Sequence, residues 1–135
     1  MPARHLLAET AFGIATVDPD TGELVELEAG EPLHRPSVEG IGLPRLVAAD
    51  MHGSRVVAAL DLRPPLAVSD DAGVTWREAG AGMPPVVAVA IAPDHPDVVA
   101  AVTATRVYVS HDGGRFWHSL PIELEGIVAV AWDVE

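Results

Sequence analysis

Ser69-Asp70-Asp71-Ala72-Gly73-Val74-Thr75-Trp76 reads S-x-D-x-G-x-T-W. The same frame returns 41 residues later as Ser110-His111-Asp112-Gly113-Gly114-Arg115-Phe116-Trp117. A spacing near 40 is the mark of a repeat built from one supersecondary unit. The residue types within the frame are those of a tight hairpin. An Asp carboxylate accepts backbone N–H groups inside a turn, and a Ser hydroxyl adds a further local bond. Gly takes a backbone conformation that a Cβ opposes. The Trp ring folds back as a large apolar seal.

Outward from the second copy, the best-formed unit runs from Pro84 to Pro121. Val86–Ala92 is a continuous apolar run, as expected of an innermost strand buried on both faces. Pro93–Asp97 is a turn by composition. Val98–Thr103, Arg106–Ser110 and Phe116–Leu120 complete four short strands. The preceding unit repeats this order with Arg45–Ala49, Arg55–Leu60, Leu66–Ser69 and Thr75–Glu78. Apolar-Pro pairs (Leu43-Pro44, Met83-Pro84, Leu120-Pro121) separate the units. In the N-terminal segment, His5–Thr10 and Gly13–Val17 match the second and third strands, and Asp18–Val25 occupies the hairpin position. Asp20 and Gly22 stand where Asp71 and Gly73 do, while Asp18 replaces the Ser and Val25 the Trp. A longer connection, Glu28–Pro44, follows. At the other end Gly126–Val134 matches the innermost strand Val86–Ala92.

The repeated frame resembles the Asp-box, or BNR repeat, of sialidases and of sortilin-type and photosystem-assembly-factor-type β-propellers. The resemblance is strong over 44–121 and weaker over 1–43. It implies an all-β fold of propeller blades, each a four-stranded antiparallel sheet. Two blades are complete (44–83 and 84–121), and a degenerate one is split between 5–43 and 126–134, joined by velcro closure. It also implies that Ser69, Asp71, Gly73, Trp76, Ser110, Asp112, Gly114 and Trp117 are structural. Ligands in such proteins bind on the face opposite the box, at the propeller mouth.

Propellers typically have about four to eight blades. An open arc of three leaves two blade faces in water and an unpaired inner edge. A homodimer closing a six-bladed ring with two-fold symmetry answers both problems, Gly126–Val134 of one chain pairing with His5–Thr10 of the other.

The net charge of -12 disfavours a phosphate backbone as partner, so no nucleic acid is expected. All eight basic residues are Arg, and none cluster in the sequence. Cysteine is absent, which excludes disulfides and thiolate chemistry. Glu9 interrupts the N-terminal apolar stretch, and no run approaches the ~18 residues of a membrane span. The default expectation is a cytoplasmic protein.

Candidate ligand-binding residues follow from the loops that the resemblance places at the mouth: Glu9, His34, Arg35, Asp61, Arg63 and Arg106. Arg can grip a carboxylate bidentately, and Asp or Glu can accept hydroxyls. No catalytic residue, metal or cofactor is expected. A sialidase requires three convergent Arg, a Tyr nucleophile with a Glu partner, and an acidic Asp. The sole Tyr, Tyr108, lies mid-strand beside a box, and Val86–Ala92 carries no acid or Arg. Asp94-His95-Pro96-Asp97 reads as a turn rather than a ligand set, and no G-x-S-x-G elbow occurs. The expectation is a non-enzymatic scaffold that binds a protein or small ligand at its mouth. The alternatives are a carbohydrate-binding lectin-like propeller or a glycoside hydrolase remnant. For a lectin, Phe12 and Trp132 are the free aromatic candidates.

Overall fold

The computed structural model describes residues 4–134, and these form three four-stranded antiparallel sheets. The strands in chain order are β1 (Arg4–Thr10), β2 (Gly13–Val17), β3 (Leu24–Glu28), β4 (Leu46–His52), β5 (Arg55–Leu60), β6 (Leu66–Ser69), β7 (Arg77–Ala79), β8 (Ala88–Ile91), β9 (Val99–Val102), β10 (Arg106–Ser110), β11 (His118–Glu123) and β12 (Ala129–Val134). The sheet orders are β12-β1-β2-β3, β4-β5-β6-β7 and β11-β10-β9-β8. This all-β arrangement is consistent with propeller-like blades. No helix among the described residues is long and apolar enough to cross a membrane.

β8 packs between β4 on one side and β12 on the other, so the β8 sheet sits in the middle of an arc. Its two faces are the two main cores. Leu6, Ala8, Ala15, Val17 and Val130 pack on one, beside Ala90, Ala100, Val107 and Val109. Val57, Ala59, Leu66 and Val68 pack on the other, beside Val89, Ile91, Val99 and Ala101. Residue size follows the geometry. Sheets that radiate from a common line are closest at their inner strands, where Ala and Val fill the gap. They diverge outward, where Leu6, Leu66, Leu120 and Trp117 take over. Where β4 meets β8, the Asp50 carboxylate accepts a hydrogen bond from the Ile91 N–H (2.8 Å), tying one innermost strand to the next.

Two expectations are corrected here. First, β12 pairs antiparallel with β1 of the same chain, from Arg4 opposite Val134 to Glu9 opposite Ala129. The strand exchange between chains is therefore not needed to complete that sheet. Second, Leu120-Pro121 does not separate units, because β11 runs through Pro121 to Glu123. β11 is an edge strand, where a missing N–H need not break a ladder. The register also slips between Arg106 and Tyr108 as the pair accommodates it.

The connection after β3 spans the open side of the arc. It begins beside the β1–β2 sheet, where a Cβ at Gly30 would crowd Ile14 Cγ1 at 3.0 Å and the Glu9 carboxylate accepts the Leu33 N–H at 2.9 Å. It ends with Ile41 and Leu43 packed beside Ala49, Ala58, Leu60, Ala67 and Trp76, on the face of the β4–β7 sheet turned away from β8. Val56 and Ala58 on that face are fully buried. One of the two faces expected to lie in water is thus covered by the chain itself.

Candidate functional site

The two repeated hairpins share one hydrogen-bond pattern. Ser69 Oγ donates to Asp71 Oδ1 (2.7 Å) and accepts from Gly73 N (2.8 Å), and Asp71 Oδ1 accepts from Thr75 N (2.8 Å). Ser110 Oγ donates to Asp112 Oδ1 (2.8 Å) and accepts from Gly114 N (2.9 Å), and Asp112 Oδ1 accepts from Phe116 N (2.9 Å). Gly73 and Gly114 both lie at positive φ, 89° and 86°. The Thr75 hydroxyl and N–H and the Ser69 hydroxyl hold the Asp71 carboxyl down at about 2. The Asp112 carboxyl is lowered chiefly by the Phe116 N–H. Donors spent this way are not free for a ligand. Trp117 packs between two sheets, with Nε1 donating to Gly114 O (2.9 Å). Trp76 packs instead against the cluster of Ala49, Ala58, Leu60 and Ala67 that Ile41 and Leu43 also cover.

On the same side of the arc, arginines tie the β4–β7 sheet to the β8–β11 sheet. Arg55 donates to Asp70 Oδ1 (2.7 Å), to Pro96 O (2.7 Å) and to Asp97 Oδ1 (3.2 Å). Arg77 donates to Gly113 O at 2.6 Å. Burial lowers the Arg77 pKa, partly countered by Asp70. Between the other two sheets, Arg4 Nε bonds both oxygens of Asp94 at 2.9 Å and lowers that carboxyl. Around this pair opens a notch of about 540 Å³ that His5, His95, His111 and Asp18 also line. Among the described residues no group of three or more His, Asp or Glu is placed to hold a metal ion.

The six candidate ligand-binding residues do not form one site. His34 and Arg35 come from the spanning connection and stand at the lip of an apolar cleft of about 240 Å³. Its walls are Val47–Ala49, Val87–Val89 and Val128–Val130, three residues from the inner strand of each sheet or its approach. Glu9 lies beneath this connection and is engaged with Leu33 N. Asp61 is elsewhere, exposed and paired with Arg45 (2.7 Å). Arg63 lines a cavity of about 300 Å³ together with Asp61, Pro65 and Met83, and a neighbouring one with Pro64, Pro65 and Met83. Arg106 is half-buried opposite Glu123. Arg35, Arg63 and Arg106 make no ion pair among the described residues.

Sequence reasoning did not find two features. The valine walls of the cleft carry no polar signature. Val47 and Val128, at 48% and 42% exposed, show their role only once three strands converge. The second feature is an outer cavity of about 370 Å³ lined by Met83, Tyr108, Arg115, Phe116 and Trp117. Phe116, 80% exposed, stands where the first hairpin has Thr75. That mismatch was the available signal.

No protein-family model matches this chain, and no curated protein matches it. Among solved structures, it is similar to the crystal structure of the Niastella koreensis GH74 enzyme, with 18% identity and a TM-score of 0.46. The match covers 92% of this chain and 19% of that one, so the chain spans less than a fifth of the enzyme's length.

Proposed function

We propose that this chain is a non-enzymatic Asp-box propeller scaffold whose axial cleft receives an apolar group carrying an anionic end, such as an aliphatic side chain beside a carboxylate. One observation carries the reading: Arg35, without an acidic partner among the described residues, stands with His34 at the lip of a cleft walled by valine and alanine. Pockets of drug-sized ligands run to roughly 300–1,000 Å³. At about 240 Å³ the cleft suits one side chain or a short acyl end. A guanidinium at the rim of an apolar, partly desolvated pocket pairs with a carboxylate more strongly than one in bulk water. The residues lining the cleft include no carboxylate, hydroxyl nucleophile or thiol, which favours binding over catalysis.

Titration of the labelled protein with hexanoate and N-acetylleucine, followed by amide shifts, tests this. Shifts at Val47, Val87 and Val128 are expected, lost in Arg35→Ala and absent with hexanol or N-acetylleucinamide. Shifts that ignore the charge of the probe, or none in the cleft, would refute it.

A second copy of the chain completing a ring remains a proposal favoured by one observation. Leu24, Val25 and Leu27 of β3 are 46%, 57% and 46% exposed, on a strand with no covered side. Light scattering at micromolar concentration decides it: twice the chain mass supports the ring, and a single-chain mass removes it.

A further inference from the structure

We infer that the outer cavity between the β4–β7 and β8–β11 sheets is a second binding site, and that its ligand is a short saccharide docked by a sugar-ring face. The cavity gathers three of the chain's six aromatic residues, Tyr108, Phe116 and Trp117, with Met83 and Arg115 also in its lining. Its volume, about 370 Å³, lies at the small end of ligand pockets.

Phe116 has no structural reason to be there. In the first hairpin the equivalent Thr75 donates its hydroxyl to Asp71 Oδ2 at 2.6 Å. Phe116 makes only the backbone bond to Asp112. The substitution therefore gives up a charge-assisted hydrogen bond and leaves a phenyl ring 80% exposed. An exposed aromatic that weakens its own turn is explained by what it contacts from outside.

The neighbouring groups select the class of ligand. The Trp117 indole N–H is committed to Gly114 O, so the ring offers the cavity only its carbon surface. The Tyr108 hydroxyl has no partner among the described residues. Arg115 donates to Asp112 O (3.1 Å) through Nη1 and sits 3.8 Å from Asp70 Oδ2 through Nη2, yet its side chain is more than half exposed. Aromatic carbon surfaces beside an unpartnered phenol and an exposed guanidinium edge match the two sides of a sugar, its C–H face and its hydroxyls. This site is distinct from the axial cleft and does not depend on it.

The test is an array of neutral and acidic glycans probed with multivalently displayed protein. It is paired with saturation-transfer NMR on the methyl glycosides of glucose, galactose, N-acetylglucosamine and glucuronic acid. Binding is expected, and Phe116→Thr and Tyr108→Phe should each weaken it by about tenfold, the loss of one good contact. Phe116→Thr restores the residue of the first hairpin, so its melting temperature should hold or rise, separating lost binding from lost folding. Arg35→Ala should bind as the parent does. Silence of the whole panel at millimolar concentration overturns the inference. So does undiminished binding by Phe116→Thr, or a loss confined to Arg35→Ala.

Discussion

Exchanging the residues that follow the Asp of each hairpin tests whether the two copies obey the same backbone rule. Ala72 and Gly113 occupy equivalent positions, and both lie in the left-handed region, at φ 58° and 72°. An L-residue there costs about 1–2 kcal/mol. Gly113→Ala adds that cost and more, because its Cβ would sit 2.7 Å from Arg55 Nη1. The Arg55 guanidinium cannot move freely, since it bonds Asp70, Pro96 O and Asp97 at once. Losing one bond to a charged group costs about 1.5–3 kcal/mol. The side chain will recover part of that by rotating, so the expected total is about 3 kcal/mol. At roughly 3–5 °C per kcal/mol for a domain of this size, melting falls by about 10 °C. The reverse change, Ala72→Gly, relieves about 1–2 kcal/mol of strain against roughly 0.5–1 of added chain entropy. It should raise melting by a few degrees. Calorimetry of the two single variants suffices. A Gly113→Ala protein melting within a degree of the parent would falsify the argument, as would Ala72→Gly melting lower.

Acid should unfold this protein through its hairpins. Asp71, Asp112 and Asp94 all have pKa values below the unfolded carboxylate value of about 3.9. Their contribution is complete above that value and is lost as pH falls through the folded ones, down to about 2 for Asp71. Urea melts across this window should lose midpoint steeply in the parent and less in Asp71→Asn; parallel curves would count against the linkage. Trp117→Ala should cost about 3–5 kcal/mol because the ring fills a gap between two sheets. Trp76→Ala should cost less, since it shares its cluster with Ile41 and Leu43 of an irregular connection that can settle toward the space. Equal losses in chemical denaturation would mean that the two rings are equally confined.

The strands of 44–121 were legible because their apolar runs are short, rich in Val and Ala, and punctuated by turn residues. The matching of Gly126–Val134 to an innermost strand was also readable, but not the partner it would choose. Strand pairing is decided by proximity, and intrachain closure costs less ordering entropy than exchange. The connection Glu28–Pro44 reads in sequence as a loop at the mouth, with His34 and Arg35 as candidates, and its lack of periodicity gives no sign of a packing role. Ile41 and Leu43 acquire meaning only from the sheet face they cover. The six candidate residues were picked by loop position alone, and position does not say which loops meet. His34 and Arg35 share a cleft, Asp61 and Arg63 share another cavity with Asp61 engaged by Arg45, and Arg106 lies apart.

The two cavities follow from the way three sheets radiate. Where the inner strands converge, side chains must be small, and no combination of valine and alanine closes the last space along the line where three sheets meet. Where the outer strands diverge, larger side chains such as Leu66, Met83 and Trp117 fill most of the widening gap but not all of it. A fold of this shape therefore leaves volume at both ends whatever its function. The hollow itself says little, and what matters is a residue at its edge that packing does not require. Trp117 passes as packing, since it bridges two sheets. Arg35 and Phe116 do not: one is a cation without an acidic partner over an apolar cleft, the other an exposed ring that weakens its own turn. Those two positions separate the sites in experiment, because each can be changed without touching the core that both sites share.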